Sequence, residues 1–236
     1  MPFDDVLANL QPLKGEELEA ARRRFAELCS SSSSGIAGSY QGLVFEHPVP
    51  YDQAGENKVL FIYNQSLERV KAAGFQRHPR PVEAFGLLAE SLEGKLTGDL
   101  KEVADNMLQS HGEWLSLAVE RRGDVLIAQV DPEGLAWKKD EYVKTKKFAC
   151  TEQREFDVTG KPSGSWIDLK EFNEDFVRFM YGRRFEDLPV AMREGDKRAR
   201  VALPSEGKVR PVGRVVFYRF YVYYYDVASR GVRERA

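Results

Sequence analysis

The chain predicts an α+β fold: a mostly antiparallel sheet with several packing helices and an N-terminal helical arm. Three observations carry that reading. Between Trp114 and Val158, short apolar runs are separated by turn residues, the pattern of a strand meander. Leu169, Phe172, Phe176, Phe179 and Met180 recur at helical spacing and form an apolar stripe. The C-terminal run Lys208 to Asp226 is rich in valine, phenylalanine and tyrosine, residues that pack well on a pleated surface.

In chain order, Glu16 to Cys29 reads as an amphipathic helix with Leu18, Ala21, Phe25 and Leu28 on one face. Arg22, Arg23 and Arg24 fall in its C-terminal half, where the helix dipole favours positive charge. The serines Ser30 to Ser34 and the Gly-Ile-Ala-Gly-Ser39 that follows read as a loop, so residues 1–34 form an arm and linker and residues 35–236 a single domain. Gly42 to Glu46 and Val59 to Tyr63 read as strands joined by a Pro-, Gly- and Asn-containing loop. Ser66 is the expected cap of a short helix to Ala73, Pro81 opens a second carrying Val82, Phe85, Leu88 and Leu92, and a third starts near Asp99.

Trp114–Glu120 and Val125–Val130 read as a hairpin turning at Gly123, and Asp131 to Gly134 as the next turn. Tyr142 to Val158 continues as one or two strands, and the best helix runs from about Asp168 to Arg183. Two final strands follow, Arg198–Leu203 and Val209–Asp226. Read as one strand, the last puts Val216, Tyr218, Phe220, Val222 and Tyr224 on one face and Val215, Phe217, Arg219, Tyr221, Tyr223 and Tyr225 on the other. Two apolar faces imply either a central strand or one face kept for a partner.

Composition bounds the function. With 236 residues and 42% hydrophobic content, the chain can bury a substantial core. Its 35 basic and 37 acidic residues nearly cancel, so no global field draws it to nucleic acid or an anionic membrane. From Ala191 to Ala236, however, 11 Lys/Arg stand against 5 Asp/Glu, a basic end beside an acidic body that can bind a copy of itself or a polyanion. No apolar stretch is long enough for a membrane span and no secretion signal is evident, so a cytoplasmic protein is expected. Cys29 and Cys150 read as packing groups rather than a disulfide or a metal site.

Motifs for chemistry are sparse. His47, His78 and His111 are scattered, with no metal-ligand spacing; neither a metal nor a cofactor is expected. His111 with Glu113 is the one compact acid/base pair, and Asp124 with Asp131 could serve a metal-dependent nuclease beside the lysines of Lys144–Lys147. Arg122-Gly123-Asp124 spells an adhesion tripeptide but is explained by turn chemistry. No residue is assigned a catalytic role.

The expectation is therefore a non-catalytic interaction or assembly protein, contacting a protein partner or itself through Phe217, Arg219, Tyr221, Tyr223 and Tyr225. The alternatives are a nucleic-acid-binding protein, with polyanion contacts from Arg210, Arg214, Lys144, Lys146 and Lys147, and a hydrolase or nuclease of unfamiliar type. The order Arg219-Phe-Tyr-Val-Tyr lacks the glycine of an RNA-recognition sheet, which counts against the first alternative.

Overall fold

The structure is a computed structural model in which residues 36–47, 63–109, 112–139, 141–194, 200–215, 219–221 and 229–235 are described. They belong to one compact unit, Ser34–Ala236. The helical arm expected over 16–29, with Cys29 and the serines, lies outside the described residues, as do His111 and the expected strand residues 59–62.

A two-residue turn opens the described chain. Gln41 and Gly42 both take positive φ, 49° and 79°, the geometry that lets right-twisted strands pair tightly. It sets β1 (Ile36–Tyr40) against β2 (Leu43–Glu46), with Tyr40 opposite Leu43. Ile36 to Ser39, the described part of the segment read as loop, thus belong to a strand. Helix α1 (Tyr63–Ala72) follows, starting one turn before the expected cap; Ser66 lies inside it and is buried. Helix α2 (Pro81–Leu92) begins at its proline, and Glu83 accepts from the Arg80 amide at 2.8 Å, satisfying one of the orphan donors of the first turn. Helix α3 spans Gly98–Gln109.

The meander is present. Strand β3 (Gly112–Arg122) turns at Gly123 into β4 (Val125–Val130), then β5 (Glu133–Lys138) pairs with β6 (Glu141–Ala149) and β7 (Glu152–Asp157) returns along β4. The best expected helix is shorter than its apolar stripe. Residues Trp166–Asp168 form β8 and Leu169–Glu171 a 3-10 turn, so α4 spans only Glu174–Tyr181, capped by Asn173 and ended by Gly182 at φ 68°. A four-residue helix α5 (Val190–Arg193) precedes β9 (Arg200–Ala202).

The C-terminal run is not one strand. β10 (Val209–Val215) pairs antiparallel with β11 (Arg219–Tyr221), so the chain reverses between them; β12 (Val232–Glu234) lies elsewhere, beside β2. Strand order is β7-β4-β3-β10-β11-β9-β8 in the large sheet, β1-β2-β12 in the small one and β5-β6 in the third; among the described strand pairs only β11–β9 is parallel. This is an α+β fold with mostly antiparallel sheets.

Alternation along β3 serves two cores. Leu115, Leu117 and Val119 join Phe85, Leu88, Val103, Met107 and Phe176 from the helices. Trp114 and Ala118 face the other way, into a smaller cluster with Tyr63, Leu135, Tyr142 and Val209. Each large apolar side chain buried here contributes about 1.5–3 kcal/mol of transfer free energy.

Candidate functional site

The most densely built polar feature lies between the small sheet, α1 and the start of β3. Residues on the buried face of α1 are Tyr63, Ser66, Arg69 and Val70, spaced by helical turns, so a serine and an arginine point inward where apolar residues would be usual. The Arg69 guanidinium is fully buried and grips Glu46 of β2 with both arms, Nη1 donating to Oε1 at 2.6 Å and Nη2 to Oε2. Its Nε donates to Ser229 Oγ at 2.8 Å, and Nη2 also reaches the Ser229 carbonyl. Ser66 Oγ donates to Ser229 Oγ at 2.6 Å, and the Ser229 hydroxyl donates back to the Ser66 carbonyl.

A second clamp adjoins the first. Arg230, also fully buried, donates from Nε and Nη2 to the two oxygens of Glu113, at 2.9 and 2.8 Å, from Nη2 to Asn106 Oδ1 at 2.7 Å, and from Nη1 to the Glu46 carbonyl. Glu46 closes the circuit by accepting from the Gly231 amide at 2.8 Å, while its own amide donates to the Gly231 carbonyl. Bidentate, charge-assisted pairs of this kind are the strongest hydrogen bonds available to side chains. They are also the least forgiving, because a buried charge that loses its partner keeps its full desolvation cost.

His78 lies against this clasp. Its Nδ1 stands 2.9 Å from the Arg230 carbonyl, which can only accept, so the proton sits on Nδ1 and Nε2 is left as an acceptor. Nε2 is buried with no hydrogen-bond partner among the described residues. Burial, with the nearby Arg69 charge, pushes the imidazole pKa down to about 4. The ring packs on Tyr63, which meets Trp114 edge to face at 5.6 Å, and the Tyr63 amide donates to Tyr142 Oη. The His78 imidazole is thus neutral and sealed within the fold.

A third group, half-buried, ties α2 to the β4–β5 corner. Asp131 takes φ 49°, a costly backbone for a residue other than glycine, and its carboxylate accepts from Arg80 at 2.6 Å and Thr151 at 2.8 Å. Burial opposes its charge, but the bonds from Arg80, Thr151 and Ser116 outweigh it and hold the carboxyl below the usual range. Arg77 pairs with Glu83 at 2.7 Å beside it.

Arg219 and Tyr221 are in β11, hydrogen-bonded between β10 and β9 rather than at a sheet edge; Phe217, Tyr223 and Tyr225 lie outside the described residues. Arg214 is opposite Phe220 in the β10–β11 ladder. Arg210 is buried, and that burial lowers its pKa to about 10. Lys144 bonds Glu120 and lies 4.5 Å from the centre of the Phe148 ring, while Lys146 and Lys147 are exposed on β6. Glu113 is bonded to Arg230, and the residue it was expected to pair with, His111, lies outside the described residues.

Asp124 and Asp131 flank opposite ends of β4, seven residue steps apart or roughly 23 Å, too far to share an ion. The Arg122-Gly123-Asp124 turn is used internally: Arg122 bonds Glu120 and the Gly123 amide donates to Glu206. Cys150 is a free thiol. Among the described residues no group of three His, Cys, Asp or Glu is placed to hold a metal, and no helix is long and apolar enough to cross a membrane.

Arg69, Glu46, Ser229 and Arg230 were not singled out by sequence reasoning, and His78 was considered there only as one of three scattered histidines. The available signal was weak: a serine and an arginine at the helical spacing of Tyr63 and Val70, and a Ser-Arg-Gly triplet after the aromatic run. No protein family, curated protein or solved structure matches this chain.

Proposed function

We propose that the protein is a non-catalytic assembly protein that contacts a copy of itself through the aromatic and basic stretch carrying Phe217, Arg219, Tyr221, Tyr223 and Tyr225. The supporting observation is that the stretch is anchored at two points. Arg219 to Tyr221, within it, are laddered between β10 and β9. Ser229 to Gly231, which follow it, are locked by Arg69, Glu46 and Glu113. Anchored backbone reduces the ordering cost of binding, and tyrosine and arginine are the residues that most often anchor interfaces. The basic C-terminal end and acidic remainder supply charge complementarity between copies.

The nucleic-acid reading draws less support, since Arg210 is buried and Lys144 is committed to Glu120. A hydrolase draws less still, since His78 is sealed and Glu46, Glu113 and Asp131 are each bound to arginine. The test is solution mass by light scattering at low and high salt. A multimer that falls to monomer when Tyr221→Ala and Tyr223→Ala are combined is the expected result. A monomer at both salts, or a multimer indifferent to the two substitutions, overturns self-assembly through this stretch.

A further inference from the structure

In the large sheet β7 is a terminal strand and, among the described residues, pairs only with β4. The Val158 amide donates to the Asp124 carbonyl, and by alternation the peptide groups of Glu152, Arg154 and Phe156 point to β4. Those of Gln153, Glu155 and Asp157 therefore point outward, along a line where another strand can pair.

A groove of about 490 Å³ runs beside that line, between β7 and α4, lined by Arg154, Phe156, Asn173, Asp175, Arg178 and Phe179. Phe156 packs on Phe176 and Phe179, at 5.1 and 5.3 Å between ring centres, giving the groove an aromatic floor on the helical side. Phe179 is only partly buried, and the Arg154 guanidinium sits 5.5 Å from its ring centre.

Charge decides what fits. Arg154 is paired with Glu152 and Arg178 with Glu174, which neutralises both cations near the groove. Glu155, Asp157 and Asp175 are exposed and leave the site acidic. Hydrogen bonds from Thr159 hold the Asp157 carboxyl below its usual range, so it stays ionised. β7 itself carries Glu152, Glu155 and Asp157 against Arg154 alone, which repels a second copy and attracts a basic segment.

We infer that the outward edge of β7 accepts an extended basic–apolar–basic segment of a partner protein by strand addition. Its two cations stand opposite Glu155 and Asp157 on the face away from α4, and the apolar residue between them faces Phe156 and Phe179. Main-chain bonds to Glu155 and Asp157 supply affinity, and the alternation supplies selectivity. Three strands stand between β7 and β11 in the large sheet, and strand addition to β7 needs no multimer, so the solution mass does not bear on it.

The probe is a short labelled peptide of alternating lysine and valine, with a glutamate–valine peptide as control, titrated into the full chain by fluorescence anisotropy. Saturable binding of the lysine peptide alone is expected, with slowed hydrogen exchange at the Gln153, Glu155 and Asp157 amides. Glu155→Lys combined with Asp157→Lys should weaken it by about tenfold, from two cross-strand ion pairs. Glu155→Pro removes an outward amide without touching the β4 ladder and should abolish binding; if it unfolds the chain, the charge-reversal pair still decides. Failure of the lysine peptide to bind, equal binding of the glutamate peptide, binding that leaves the β7 amides unprotected, or indifference to charge reversal would each overturn the inference.

Discussion

Two regions of this molecule are rich in arginine and carboxylate, and they are built to opposite ends. In the clasp, Arg69 and Arg230 are wholly buried and nearly every donor meets a carboxylate, a carbonyl or a hydroxyl. Along β7 and α4, Arg154–Glu152 and Arg178–Glu174 lie open to water, beside a strand edge with outward peptide groups. The residue types are the same; burial differs. A sealed pair fixes one arrangement of the chain because breaking it strands a charge, whereas an exposed pair is weak and screened and leaves the surface available.

The largest effect that can break this comparison is Arg230→Ala. It leaves Glu113 buried without its cation, and a loss of about 3–5 kcal/mol in denaturant unfolding is expected. Combining Arg230→Met with Glu113→Leu removes both charges and should cost less than Arg230→Met alone; an equal or greater loss would contradict a charge-based explanation.

His78 gives a pH signature of the same region. Its pKa is lowered on folding, from 6.5 to about 4, so between those values the unfolded chain takes a proton that the folded chain refuses. Stability is complete above pH 6.5 and falls by about 3 kcal/mol on going down to pH 4. His78→Asn keeps an N–H donor for the Arg230 carbonyl and should flatten that part of the profile; an unchanged slope would assign it to other groups.

Gly231 sharpens the picture sterically. A Cβ there would stand 2.6 Å from Phe75 Cβ and Cγ, so Gly231→Ala should cost about 1–3 kcal/mol through overpacking. The smallest effect belongs to the other region. Arg178→Ala removes an exposed pair one helical turn long, and a change of about 0.3–0.5 kcal/mol is expected in the same unfolding measurement.

How much of this the sequence revealed depends on what each element advertises. Gly123 and the alternating runs around it announced the β3–β4 hairpin, and Pro81 and the stripe Phe85, Leu88 and Leu92 announced α2. The reversal between Val215 and Arg219 was illegible because the sequence Val216-Phe217-Tyr218 carries no turn residue and continues the strand pattern. β1 was hidden by the reverse problem, its glycine and serine suggesting loop until Gln41 and Gly42 set the register.

The clasp was the least visible. A lone arginine in a helix or near a chain end reads as solvated, and nothing local to Arg69 or Arg230 shows that Glu46 and Glu113 will meet them. Such pairs are made by the topology, which brings β2, α1, β3 and the C-terminal segment together.

The contrast between sealed and open regions is tested most directly by native-state amide hydrogen exchange. The Gly231 amide donates to the Glu46 carboxylate and the Val232 amide to the Arg77 carbonyl, so both should exchange only on global unfolding. The outward Glu155 and Asp157 amides of β7 should exchange orders of magnitude faster in the absence of a partner. If Gly231 and Val232 exchange as fast as Glu155 and Asp157, the clasp does not hold the C-terminal segment.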